Sequence, residues 1–60
     1  MTRSAACWEA GGLSERFPEV EYGVFYSLVH GYCVRHRADV PAGMTLVCVF
    51  LGGDIYADAK

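Results

Sequence analysis

From Val20 to Val40 hydrophobic and polar residues alternate with a period of two. The even positions run Val20, Tyr22, Val24, Tyr26, Leu28, His30, Tyr32, Val34, His36, Ala38 and Val40, apolar except at the two histidines. The odd positions are mixed and carry every full charge of the segment, Glu21, Arg35, Arg37 and Asp39. Successive side chains of a strand point to opposite faces, so this alternation predicts half-buried strand, whereas a helix would scatter it. The segment is too long for one strand of a small domain and must fold back. Gly31 is the natural pivot. A loop of Val29, His30 and Gly31, with Gly31 left-handed, is a common hairpin connection and keeps the two faces separate. It predicts strands over about 20–28 and 32–40, with Leu28 opposite Tyr32, Tyr26 opposite Val34 and Val24 opposite His36. On the other face Phe25 is expected opposite Arg35, and Gly23 opposite Arg37, which sets an arginine over an aromatic ring.

The flanks follow different patterns. Ser4 to Gly12 predicts a short helix over about 4–10, capped by Ser4, favoured by its alanines and stopped by Gly11. Two turns do not stand alone, so Trp8 is expected to dock on the sheet. Leu13 to Glu19 reads as a connector, in which Ser14 offers a turn or second cap and Pro18 pushes Phe17 toward extended geometry. Val40-Pro41-Ala42-Gly43 predicts a turn. Residues 44–51 then form a third strand, apolar on both faces and therefore covered on both. Gly52-Gly53 ends it with help from Asp54. A short edge strand over 55–57 follows, with Ile55 and Ala57 inward and Asp54, Tyr56 and Asp58 outward, where acids discourage strand pairing. The expected fold is α+β and β-rich: one domain over 1–60, an antiparallel sheet of three or four strands with the N-terminal helix packed on it.

Composition narrows the function classes. With 53% hydrophobic and 20% charged residues the chain is too apolar for a disordered tail. No run approaches the length of a membrane-spanning helix, the longest strongly apolar stretch being Leu46 to Leu51. Three cysteines, Cys7, Cys33 and Cys48, are an odd set without metal-knuckle spacing. They suit buried positions in a reducing compartment, and a cytoplasmic location is the default. A net charge of −2 argues against direct nucleic-acid binding. The charges are unevenly placed, with Glu9, Glu15, Glu19 and Glu21 near the start and Arg35 with Arg37 in the middle.

Candidate chemistry is sparse. His30, Cys33 and His36 are metal-ligand types at short spacing, but six strand residues span about 20 Å and Cys33 faces away from His36. Structural zinc also asks for four ligands. A metal or redox protein built on these three residues is thus a minor reading, and no cofactor is expected. No cysteine or serine has a base and an orienting group beside it. Glu19 with Glu21, or Asp54 with Asp58, lack the cleft that paired carboxylate catalysis requires. The glycine pairs lack the context of phosphate loops.

What remains is aromatic surface. One tryptophan, four tyrosines and three phenylalanines exceed what so thin a core can cover. Tryptophan and tyrosine are common interface anchors, and acids around them steer a basic partner. The leading expectation is a non-enzymatic protein-binding domain, a stoichiometric inhibitor or adaptor that covers a basic, nucleic-acid-binding surface of another protein. In size and style it is similar to the small inhibitors of phages and mobile elements, anti-CRISPR proteins among them. The expected contact residues are Trp8, Glu15, Glu19, Glu21, Phe25, Arg35, Arg37, Asp54, Tyr56 and Asp58. The alternative is a self-associating accessory subunit, a homodimer covering a bare sheet face.

Overall fold

The computed structural model describes residues 1–58, Asp58 by its backbone alone. It is α+β and β-rich. Helix α1 (Arg3–Arg16) is followed by strands β1 (Tyr22–Ser27), β2 (Gly31–His36), β3 (Thr45–Leu51) and β4 (Asp54–Asp58). The strands form one antiparallel sheet in the order β2-β1-β3-β4, with α1 against one face.

The helix is twice the expected length. Its cap is Thr2, whose Oγ1 accepts from the Ala5 N–H at 3.1 Å, rather than Ser4. It runs through Gly11 and Gly12, although each glycine costs a helix interior about 1 kcal/mol. The offset is tertiary. Ala6, Ala10 and Ser14 recur every four residues and are all completely buried, so a helix stopping at Gly11 would forfeit the last of these contacts and Leu13 with it. Small side chains on this stripe let the helix lie close to the sheet. The stripe meets Tyr22, Val24, Val34, Cys48 and Phe50, which form the core with it.

The hairpin turns where the pattern placed it, but its register is shifted by two residues. Gly31 has φ +73°. Tyr26 pairs with Tyr32, Val24 with Val34 and Tyr22 with His36. The turn comprises Leu28, Val29 and His30, closed by the His30 N–H donating to Ser27 Oγ at 2.9 Å. A two-residue shift preserves the faces, so the even positions still meet the helix. It changes the odd face: Phe25 lies opposite Cys33 and Gly23 opposite Arg35. The strands also end sooner than expected, at Ser27 and His36.

The sheet order explains why. β2 and β3 flank β1 and run parallel to each other, so residues 37–44 must cross over β1. The helix occupies one face, and the crossover takes the other. At its end the Cys33 Sγ, on that second face, donates to Met44 Sδ at 3.5 Å. Within it the turn falls one residue later than predicted, with the Met44 N–H donating to Pro41 O at 3.2 Å and Gly43 at φ +77°.

Two bulges reset the facing of the last strands. One lies in β3 at Val47, so that Leu46 joins Phe25 and Val49 away from the helix while Cys48 and Phe50 face it. The other, at Tyr56, puts Ile55 opposite Phe50 and Ala57 opposite Val49, so these two residues do not share a face as expected. β3 and β4 are joined by Gly52 and Gly53, both at positive φ, the two-residue turn whose twist matches a hairpin.

Candidate protein-docking surface

The exposed edge of α1 is built from Ser4, Trp8, Gly11 and Glu15, which follow one another at steps of four, three and four and so share one stripe. This stripe lies about a third of a turn round the helix from Ala6, Ala10 and Ser14. Between it and the β3–β4 hairpin runs an open groove of about 610 Å³, floored by Phe50 and bordered by Cys7, Gly12 and Gly53. A Cβ on Gly11 would stand 3.7 Å from the Phe50 ring, so the missing side chain leaves a shallow hollow over that ring, which is itself 7% exposed. Trp8 stands on the lip at 85% exposure. It does not dock on the sheet; the alanines do, and the indole is held outward.

The groove is electrically polarised. At one end is the first turn of α1, with no acidic residue to offset its free N–H groups and with Arg3 adding a positive charge. At the other end Glu15 leans on the hairpin turn, its Cγ 3.3 Å from where a Gly53 Cβ would be, and Asp54 follows in the chain. Ser14 fixes this end. Its hydroxyl donates to Gly11 O at 3.0 Å and accepts from the Gly53 N–H at 2.9 Å.

A second groove of about 570 Å³ lies on the opposite face, between the start of the crossover and β4. Glu21, His36, Arg37 and Tyr56 border it over a floor of Val49. Of the ten residues expected to make contacts, the structure thus groups Trp8 with Glu15, and Glu21 with Arg37 and Tyr56. Glu19, Arg35 and Asp54 are exposed but stand apart, and Arg35 Nη1 donates to the backbone O of Val34 at 2.9 Å. The Asp58 side chain is outside the described residues. Phe25, expected at the contact surface, belongs to the core. It is 0% exposed, because the crossover covers its face and its ring folds back over Gly23, and no arginine stacks on it.

The covered face also removes the reason for expecting a dimer across a bare sheet. Pattern reading missed a further apolar feature: Leu28 and Val29, at 92% and 84% exposure, form the tip of the β1–β2 turn. Two adjacent aliphatics cannot both face inward from a strand, and that was the available signal. Among the described residues no three His, Cys, Asp or Glu side chains converge as a metal site would require. No described helix is long and apolar enough to cross a membrane. Comparison with known protein families, curated proteins and solved structures found no match.

Proposed function

We propose that this chain is a non-enzymatic protein-binding module that acts stoichiometrically, with the groove between α1 and the β3–β4 hairpin as its contact face. The observation that carries the reading is the position of Trp8. The helix buries two alanines and a serine and leaves its largest hydrophobe 85% exposed. Burying an indole removes roughly 150–250 Å² from water, the largest gain any side chain offers. A residue placed for the stability of the isolated fold would therefore sit inward. At a contact face the same placement serves binding, where tryptophans in apolar pockets carry much of the energy. The adjoining Phe50 floor and the charged groove ends add shape and orientation.

The test is affinity capture on the immobilised full chain, compared with Trp8→Ala. Trp8 is the only tryptophan, so its emission also reports directly on occupation of the face. A protein retained in stoichiometric amount by the wild type and lost from Trp8→Ala, with a blue-shifted emission in the complex, supports the reading. Retention unaffected by Trp8→Ala, or no retained protein, this chain included, overturns it.

A further inference from the structure

We infer that the occupant of the α1 groove is a second copy of this chain, packed antiparallel about a two-fold axis that passes between Trp8 and Gly11. The inference rests on the reading of this groove as a protein-contact face and names its partner. The groove and its filling are both present on one helix. Trp8 is a projecting knob, and three residues further on Gly11, with Phe50 below it, is a hollow lined by apolar atoms. A two-fold axis between them places each indole in the hollow of the other copy, because an isologous contact makes residue i meet j wherever j meets i.

Charge follows the same symmetry. The reversed second copy brings its Glu15 opposite Ser4, one residue from Arg3, at a first turn that carries no acidic residue, while its Arg16 projects from the other side of the seam. The outer members of the stripe, Ser4 and Glu15, face each other across the axis, a hydroxyl against a carboxylate. A parallel arrangement would set Glu15 against Glu15 and Trp8 against Trp8, leaving both hollows empty. A seam of 14 residues is only about 21 Å long, so the contact is small and the dimer is sought up to high micromolar concentration.

Sedimentation equilibrium of the full chain from about 5 to about 500 μM, with Trp8 emission followed over the same series, tests the assignment. The expected result is a monomer–dimer equilibrium accompanied by a blue shift. Trp8→Ala should remain monomeric with an unchanged far-ultraviolet circular dichroism spectrum, since the residue contributes nothing to the core. Glu15→Arg should weaken the dimer about tenfold by meeting Arg3 of the other copy. Arg3→Glu combined with Glu15→Arg should restore it. A wild type monomeric throughout, or a dimer indifferent to Trp8→Ala or to the charge exchange, overturns the inference. In that event a foreign protein still captured through Trp8 leaves the contact face standing and removes only the second copy as its occupant. Loss of both results removes both.

Discussion

The Ser14 hydroxyl joins the helix to the last hairpin of the sheet, accepting from the Gly53 N–H at 2.9 Å across 39 positions of sequence. The same oxygen donates to Gly11 O, and the residue is completely buried. Ser14→Ala deletes both bonds and strands a partly buried backbone donor. The expected loss is about 1–3 kcal/mol, read as a lower urea midpoint at unchanged slope.

The hairpin turn that receives this bond needs its two glycines unequally. Gly52 has φ +63° with open space around it, a conformation asparagine also adopts. Gly53 has φ +91°, and a Cβ there would press on Glu15. Gly52→Asn is therefore expected to be nearly neutral, while Gly53→Ala costs more than about 1 kcal/mol. Thermal melts of the two variants side by side decide it.

Gly23 and Phe25 form a coupled pair. A Cβ on Gly23 would stand 2.8 Å from Phe25 Cε2 and 3.2 Å from Leu46 Cδ1, and the ring, being buried, has nowhere to withdraw. Gly23→Ala should cost about 1–3 kcal/mol by overpacking. Combined with Phe25→Leu, it should cost less than the sum of the single changes, which a double-mutant cycle in denaturant measures directly.

Phe25 and the hairpin tip should respond in opposite ways to loss of apolar surface. Phe25→Ala removes a wholly buried ring, at about 3–5 kcal/mol. A domain of this size holds little more than that, so the variant should be largely unfolded at physiological temperature. Leu28→Ser with Val29→Ser, both on the exposed tip, should leave the melting temperature unchanged and improve solubility. Circular dichroism melts separate the two outcomes.

Much of the fold is legible in the chain itself, and the misreadings have physical causes. The period-two stretch identified β1 and β2, and Gly31 marked their turn. It could not fix the register, because shifting the pairing by two residues leaves every side chain on the same face. The choice fell to Ser27, whose hydroxyl holds the turn over Leu28 to His30. The length of α1 was hidden by Gly11 and Gly12, whose poor propensity is overridden by the buried contact of Ser14. Most of the site was hidden by topology. Nothing local announces that residues 37–44 pass over β1, and that passage turned Phe25 from an expected contact residue into core. Trp8 was expected to dock on the sheet and does not, because the small side chains of Ala6, Ala10 and Ser14 bring the helix in on another face.

The crossover also sets the order in which this chain becomes safe from its neighbours. When α1, β1 and β2 have left the ribosome, β1 still shows an open edge on the side that β3 will occupy, and Phe25 still lacks its cover. Both are invitations to pair with another nascent chain. Residues 37–51 withdraw them together, in one stroke, as the crossover closes over the ring and β3 takes the vacant edge. A chain halted at His36 should therefore aggregate rather than wait, and the second half of the sequence acts as a chaperone for the first.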